Sequence, residues 1–182
     1  TPNINKVNFV VSHGKCSDGF MSATVAHMFL KKIGVDLGLV TFYNAFYSAD
    51  YSKLIEMMRD KFVVICDFSF PKVTFDKMIE VTHGNILILD HHKSAQKLLQ
   101  DVPSEYVVFD MKHSGAFITW TYFFGFLNIP KAILYIEDND IWNKKLPLTR
   151  EFTSYVFSRP FDFEEYEKLF DDTYIIETVF PT

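Results

Sequence analysis

Cysteine is scarce in this chain, with only Cys16 and Cys66 among 182 residues. Two cysteines are too few for a disulfide scaffold, and the polar N-terminal residues lack the basic-then-apolar pattern of a signal peptide. No stretch approaches the ~18 uninterrupted apolar residues that a membrane-spanning helix requires. We therefore expect reduced thiols, a cytoplasmic location and no membrane partner.

Basic residues are also in deficit, because 18 Lys and Arg face 23 Asp and Glu and give a formal net charge of −5. A general duplex-binding protein normally carries a basic stripe, so duplex nucleic acid is not expected as a partner. A small anionic substrate stays open, since bound metal ions can invert the local field. The sequence also lacks a GxxxxGK[ST] loop and a strand-linked GxGxxG, which argues against a P-loop site and a dinucleotide cofactor.

Short β-rich runs alternate with helical stretches, a pattern typical of βα units and a mainly parallel sheet. Strands are predicted over residues 6–12, 38–43, 62–66, 85–89 and 105–109. Helices are predicted over residues 19–32, 51–59, 91–99, 114–126 and 131–138, after Pro71, and twice within 148–170 around a break near Pro160. We therefore predict an α/β fold with a catalytic core over 1–147 and a helical extension over 148–182.

Acidic residues follow three of the predicted strands, at Asp67, Asp90 and Asp110. His13 and Asp18 lie in the segment after the first strand. Ligands of open α/β sheets bind at the carboxyl ends of the strands, so this edge is the predicted site.

The tripeptide Asp90-His91-His92 is the clearest local signal. Adjacent histidines after an apolar strand need polar partners, and a cation shared with nearby carboxylates would supply one. Taken alone, the tripeptide fits equally well a capped helix N-terminus with two solvent-facing histidines.

Two further clusters contain metal-ligand residue types. His13, Cys16 and Asp18 fall within six positions, although Asp18 as a helix cap is the favoured interpretation when this cluster stands alone. The acidic run 137–140 would by itself indicate a solvated helix end. Because all of these groups converge on one sheet edge, they favour Mn²⁺ or a similar ion, with a bridging carboxylate able to hold two ions ~3.5–4 Å apart.

Together these motifs resemble the DHH phosphoesterase superfamily, in the branch with the pattern H-x-x-C-x-D-G-F. The matching segments, in family order, are HGKCSDGFMSA (13–23), VVICDFSFP (63–71), LILDHHKSA (87–95), FDMKHSGAFITW (109–120) and YIEDNDIWNKKLP (135–147). The resemblance implies a five-stranded, mainly parallel sheet flanked by helices. It also implies a C-terminal substrate-clamping domain, which is absent from these 182 residues.

The resemblance also implies a set of site residues around two divalent ions. One ion would be held by His13, Cys16 and Asp67; the other by Asp18, Asp67, His91 and Asp138, the last preferred to Asp140 by its position in the motif. Mn²⁺ is the expected metal, with Mg²⁺, Zn²⁺ or Fe²⁺ as alternatives because Cys16 stands where many members have aspartate. His92 would face the scissile phosphate and Asp90 would orient the histidines, while Lys93, His113, Ser114 and Gly115 would contact substrate.

The expected function is therefore metal-dependent hydrolysis of a phosphodiester or phosphoanhydride in a small nucleotide, a short oligonucleotide or pyrophosphate. The alternative is a catalytically impaired nucleotide- or protein-binding module on the same fold. The six methionines and 20 phenylalanines favour an apolar interface, and with it a homodimer.

Overall fold

One all-parallel sheet of five strands forms the centre of the molecule. The computed structural model describes residues 1–180. The strands are β1 Phe9–His13, β2 Thr41–Ala45, β3 Val63–Cys66, β4 Ile86–Asp90 and β5 Val107–Phe109. Their order in the sheet is β2-β1-β3-β4-β5. The predicted α/β class with helices flanking a five-stranded sheet is confirmed.

Helices connect and cover the strands. The α-helices are α1 Ser17–Lys32, α2 Ser52–Met57, α3 Lys72–Val81, α4 Lys93–Leu99, α5 Gly115–Phe124, α6 Lys131–Asp140, α7 Thr149–Phe157, α8 Phe163–Glu167 and α9 Asp172–Tyr174. Short 3₁₀ turns span Ile4–Lys6, Leu37–Leu39, Ser104–Tyr106 and Lys168–Phe170, and a π-helical turn spans Ile175–Val179. In the part of the chain that the structure describes, none of these helices combines the length and apolarity needed to cross a bilayer.

The sheet separates two apolar clusters. Along β1, the side chain of Val10 belongs to one cluster, whereas those of Phe9 and Val11 belong to the other. Strands buried on both faces require apolar residues at successive positions, which explains continuous runs such as residues 63–66.

The segment after residue 147 is helical, as predicted, and packs into the body of the molecule. Phe152, Val156, Tyr166 and Leu169 are buried in the same cluster as residues of α1 and α5. The C-terminal helices therefore cover one face of the sheet instead of projecting from it.

The strand order reverses between β1 and β3. From β1 the chain passes first to β2 on one side and later to β3 on the other. Such a reversal opens a crevice at the carboxyl ends of the two strands, where α/β proteins bind ligands. His13 ends β1 and Asp67 follows β3, so both lie at this crevice.

Several element boundaries differ from the sequence prediction, among them the start of α1 at Ser17 instead of residue 19 and the end of α6 at Asp140 instead of residue 138. His91 and His92 were expected to start a helix, but α4 begins at Lys93 and His92 is extended, with φ −67° and ψ 130°. Helix α5 ends at Phe124 because Gly125 adopts φ 84°, a left-handed conformation that terminates a helix.

Candidate metal centre

Three carboxylates converge on one imidazole nitrogen of His91. The Nε2 atom lies 2.9 Å from Asp67 Oδ1, 3.4 Å from Asp18 Oδ2 and 3.4 Å from Asp140 Oδ2. The Asp18 and Asp67 side chains are almost completely buried, and Asp140 is 27% exposed. Buried carboxylates are costly unless cations or hydrogen-bond donors satisfy them, so this convergence marks a site for positive charge.

A second ligand group lies on the other side of Asp67. Asp67 Oδ2 is 3.4 Å from Cys16 Sγ and 3.8 Å from His13 Nδ1. The Nδ1 atom of His13 is buried and has no hydrogen-bond partner among the described residues. An imidazole nitrogen in that position is suited to donate its lone pair to an ion.

The backbone at Asp67 explains how one carboxylate reaches both groups. Asp67 has φ 56°, the left-handed conformation that aspartate tolerates better than most residues. Its N–H donates to Leu89 O at 2.8 Å, so the residue stays fixed to β4 while the chain turns away from β3. The side chain is thereby held at the crevice, with Oδ1 towards His91 and Oδ2 towards Cys16 and His13.

Asp90 orients the two histidines that follow it. Its Oδ1 accepts from the backbone N–H of His91 at 2.8 Å and lies 2.7 Å from His92 Nδ1, while its Oδ2 accepts from Ser69 Oγ at 2.6 Å. This hydrogen bonding leaves His92 Nε2 facing Asp67 Oδ1 at 3.7 Å. Asp90 also belongs to a set of ligand atoms with Asp67, His91 and His92 that lie within 4.8 Å of one another.

The N-terminus of α5 holds Asp18. Asp18 Oδ2 accepts from Gly115 N at 2.9 Å, and Asp18 Oδ1 accepts from Ala116 N at 2.8 Å. A Cβ atom on Gly115 would stand only 2.6 Å from Asp67 Cβ, so glycine permits this close approach. The substrate contact of Gly115 stays a prediction; in this structure its N–H is bonded to a protein carboxylate and its α-carbon abuts Asp67.

His113 and Ser114 are held by Glu137. The carboxylate of Glu137 lies 3.0 Å from His113 Nδ1 and accepts from Ser114 N at 3.0 Å. The His113 ring stacks on Phe117 at 3.8 Å between centroids, and Ser114 is buried as the N-cap of α5. The substrate role of Ser114 also stays a prediction; in this structure its hydroxyl accepts from Phe117 N at 3.1 Å inside the protein. His113 is half-buried, and Lys93 is exposed in the first turn of α4.

Asp138 was predicted as a metal ligand, but the helix α6 carboxylate that lies beside His91 belongs to Asp140. The Asp138 carboxylate accepts from Lys145 N, Leu146 N and Thr149 Oγ1 at 2.8, 3.2 and 2.6 Å, so it fastens the loop between α6 and α7. Two residues later on the helix, Asp140 points to His91 and forms a ligand group with Asp18 and His91. The order of residues in a motif does not determine which face of a helix each one occupies, so the sequence alone could not decide between Asp138 and Asp140.

Charge and burial shift the protonation of this centre. Burial and the negative charge of Asp67 raise the pKa of Asp18 to about 8, and burial raises the pKa of Asp140. Burial opposes the charged form of His91, yet hydrogen bonds to Asp18 and Asp67 outweigh it and raise the pKa of His91 to about 11. Protonated His91 therefore offsets part of the local negative charge.

Asp67 and Cys16 are shifted in opposite directions. Burial opposes the charged form of Asp67, but its contacts with His13 and His91 and the charge of His92 hold its pKa well below the usual range. Burial and the charge of Asp67 raise the pKa of the Cys16 thiol, which is consequently neutral until a cation favours its thiolate.

The residues present fit a bound metal ion. Oxygen, imidazole and thiol atoms form three groups, each with its ligand atoms within 4.8 Å of one another: Asp67, Asp90, His91 and His92; His13, Cys16 and Asp67; Asp18, His91 and Asp140. The His13 nitrogen, which has no hydrogen-bond partner within residues 1–180, and the convergent buried carboxylates are both expected where a cation is to be bound.

Two residues that shape this centre, Ser69 and Tyr47, were given no role in the predicted site, and Glu137 was named only as part of the acidic run 137–140. Ser69 supports Asp90, Glu137 fastens the segment before α5, and Tyr47 places its ring beside His13, 6.3 Å between centroids. Ser69 and Glu137 lie inside the matched motifs and offered a signal, whereas Tyr47 lies in a loop after β2 that none of the motifs covers.

Comparison with known proteins places the fold but names no activity. No family model matches the chain. An uncharacterised protein of Acanthamoeba polyphaga mimivirus is 33% identical over 183 residues, which is 97% of this chain and 43% of that protein. The crystal structure of an uncharacterised protein from Helicobacter pylori matches with a TM-score of 0.60 at 18% identity, covering 95% of this chain and 58% of that one. The chain thus spans less than half the length of the viral relative, and the H. pylori likeness shows a shared fold.

Proposed function

We propose that this chain is the catalytic part of a two-metal phosphoesterase that hydrolyses a phosphodiester or phosphoanhydride bond. The proposal includes two divalent ions, with Mn²⁺ as the first choice. The DHH resemblance supports it, and so do the geometry and charge of the centre.

The position of Asp67 carries the proposal. One of its oxygens faces the group of His91, Asp18 and Asp140, and the other faces His13 and Cys16. A carboxylate between two ligand groups is the arrangement that bridges a pair of ions in phosphoryl-transfer sites. His13, Cys16 and Asp67 would hold one ion, and Asp18, Asp67, His91 and Asp140 the other.

Bound divalent ions would lower the pKa of water to yield a nucleophile and would offset charge on the phosphoryl oxygens. The chain itself supplies the fixed positions of the ligands. Gly115 N and Ala116 N hold Asp18, and the left-handed turn holds Asp67, so neither carboxylate has to reorganise during the reaction.

His92 is the group suited to contact the scissile phosphate. Its Nδ1 is held by Asp90, which leaves Nε2 facing the crevice. The hydrogen bond to Asp90 raises the pKa of His92, and protonated His92 donates a hydrogen bond to a phosphoryl oxygen better than neutral imidazole does. Exposed Lys93 adds a positive charge at the adjacent position.

The decisive experiment measures metal content and turnover together. The chain is incubated with Mn²⁺ and a panel of short oligonucleotides, nucleotide bisphosphates, cyclic dinucleotides and pyrophosphate, beside Asp67→Asn. We expect Asp67→Asn to lose at least about 100-fold in kcat/KM, because changes even outside the ligand shell cost 10–100-fold. Asp101→Asn, a change at an exposed aspartate beyond the far end of α4, is the matched control and should retain full activity.

Equal turnover by the wild-type chain and Asp67→Asn would refute the bridging role. Stoichiometric Mn²⁺ binding without turnover of any substrate would favour the impaired binding module instead. A cytoplasmic location is part of the same proposal and is supported by the two free cysteines.

A further inference from the structure

An exposed aromatic ring borders the metal centre on the β2 side. Tyr47 follows β2, whose last residue Ala45 pairs with His13 at the end of β1. The Tyr47 ring meets the His13 ring edge-on at 6.3 Å between centroids, and the rings of His13 and His92 are 5.9 Å apart. Tyr47 is nevertheless 66% exposed, so most of its ring is open beside the predicted phosphate position.

One side of the Tyr47 ring packs on buried aromatic residues. It packs on Phe68 at 4.8 Å between centroids, and Phe68 in turn packs on Phe70 at 5.0 Å. Both phenylalanines are buried, so they form a fixed base under the tyrosine. A ring with one side anchored and the rest accessible is suited to stacking against a planar ligand.

The backbone on both sides of Tyr47 is also held. The hydroxyl of Tyr51 accepts from Ser48 N at 2.8 Å and donates to Phe46 O at 3.3 Å, so it ties together the residues before and after Tyr47. The Phe46 ring lies over Gly14, where a Cβ atom would stand only 2.3 Å from the phenyl ring. Tyr47 and the backbone around it therefore lose little conformational freedom when a ligand binds, which favours affinity.

We propose that Tyr47 is the base-stacking residue of this site and that the substrate is a nucleotide or short oligonucleotide instead of pyrophosphate. The proposal rests on the proposed function for the position of the phosphate. A nucleotide whose phosphate reaches His92 extends its base one sugar away, within reach of the ring beside His13. Stacking on an aromatic ring tolerates every base, so Tyr47 selects for the presence of a base and not for its identity.

The test compares AMP with ribose 5-phosphate, which differ by the base alone. Binding of each to the Mn²⁺-loaded chain is measured by calorimetry. We expect AMP to bind roughly 5- to 100-fold more tightly, the range typical of one stacked base. Tyr47→Ala should bring the two affinities together, whereas Tyr47→Phe should keep the ratio within about twofold because it keeps the ring.

Phe126→Ala is the matched control. Phe126 is a 77% exposed aromatic residue in the loop after α5, at the opposite end of the helix from the metal centre, and its removal should leave the ratio unchanged. Tyr47→Leu, which keeps apolar bulk, provides a second variant in case Tyr47→Ala fails to fold. It too should lose the preference for AMP.

Two results would overturn the inference: equal affinities of the wild-type chain for AMP and ribose 5-phosphate, or an AMP preference that persists in folded Tyr47→Ala or Tyr47→Leu. The second result is expected if the ring serves only to pack against another protein surface. This test measures binding, whereas the proposed function is judged from turnover and Asp67→Asn, so a failure of one can be distinguished from a failure of the other.

Discussion

Glu137, Asp138 and Asp140 are neighbours in sequence with three different contacts. Glu137 holds His113 and Ser114, Asp138 holds the loop before α7, and Asp140 faces His91. The first two stabilise the position of the segments around the centre, and only the third belongs to it. The difference follows from the helical rotation between successive residues of α6.

This division predicts opposite phenotypes for two neighbouring substitutions. Asp138→Asn should lower the free energy of unfolding by about 1–3 kcal/mol, because the amide nitrogen cannot accept the buried hydrogen bonds that the carboxylate accepts. Asp140→Asn should leave stability nearly unchanged without metal but weaken Mn²⁺ binding about 10- to 100-fold. Urea unfolding and metal titration on the same two proteins measure both effects. A larger loss of metal affinity in Asp138→Asn than in Asp140→Asn would contradict the assignment.

The residue types of the centre could be predicted from sequence, but their roles could be predicted only in part. Asp67, His91, His13 and Asp18 lie together because each follows a parallel strand or opens the next helix, and that placement follows from the βα pattern. Which helical face carries Asp140, and which amides Asp18 accepts from, depends on the packing of α1, α5 and α6. No local pattern encodes that packing.

At the scale of elements, the close contact between α5 and the turn after β3 controls the geometry of the centre. Gly115 has no side chain to separate the helix from Asp67, so its backbone N–H reaches Asp18. Its neighbour Ala116 continues the same hydrogen bonding to Asp18. The start of α5 therefore fixes the position of Asp18, one of the candidate metal ligands.

Gly115→Ala should disturb this contact. The added methyl group would stand 2.6 Å from Asp67 Cβ and 2.8 Å from Asp67 Oδ1, so helix and turn must separate. We expect a loss of about 1–3 kcal/mol in stability, as for other overpacked sites, together with weaker Mn²⁺ binding. Thermal unfolding with and without Mn²⁺ measures both. Gly38→Ala, whose new methyl group would meet only the exposed side chain of Asp36, is the control, and equal effects of the two changes would refute the argument.

The contact between α1 and α8 contains a titratable group away from the metal centre. His27 stacks on Phe163 at 4.3 Å between centroids, and its buried Nδ1 has no partner in the described part of the chain. Burial lowers the pKa of His27 below its ordinary value of 6.5, while Glu167 acts to raise it and Lys31 to lower it. The unfolded chain therefore binds a proton at His27 more readily than the folded chain.

This shift predicts a loss of stability in acid. The contribution of His27 is fully retained above the unfolded pKa of 6.5 and falls as the pH drops through the lower folded pKa, because protonation then favours the unfolded chain. His27→Phe keeps an aromatic ring against Phe163 and removes the titration. Urea midpoints at pH 7.5 and about pH 5 should therefore differ less in His27→Phe than in the wild-type chain. An identical difference in both proteins would rule out this role.

At the scale of the whole molecule, the candidate metal centre brings together elements from both sides of the strand reversal. Its candidate ligands come from β1, the turn after β3, the segment after β4 and α6, so an ion bound there would link these elements. A ligand that binds only the folded chain stabilises it in proportion to its saturation. Metal addition is consequently a test of the assembled centre that needs no substrate.

Mn²⁺ at about 100 times its Kd should stabilise the chain by about 2.7 kcal/mol for each site that it fills. For a chain of this size, that corresponds to a rise of roughly 5–10 °C in the unfolding midpoint. Differential scanning fluorimetry with Mn²⁺, Mg²⁺, Zn²⁺ and Fe²⁺ would rank the metals, and Cys16→Asp should shift the ranking towards Mn²⁺ and Mg²⁺ because oxygen replaces sulfur. The absence of a shift with every metal would contradict a metal centre.

The architecture of the whole molecule could be predicted more fully than the packing of its last helices. Alternating β and α runs determine a parallel sheet, because parallel strands need a crossover between them. The helices after residue 147 could be predicted as elements, but the sequence does not encode which surface each one covers. Tyr166 of α8, for example, packs edge-on against Phe20 of α1 at 4.8 Å between ring centroids. Contacts between segments distant in sequence decide such placements.

The hydrogen bonds from the start of α5 to Asp18 have a consequence for the order of events in folding. The bonded residues are 97 and 98 positions apart, and Asp67 meets Cys16 across 51 positions. Contacts of such long range close large loops and form only after most of the chain has collapsed. We therefore expect the candidate metal centre to form late in folding. An ion that needs all of its ligands would then stabilise a structure that is already nearly complete and would not nucleate folding.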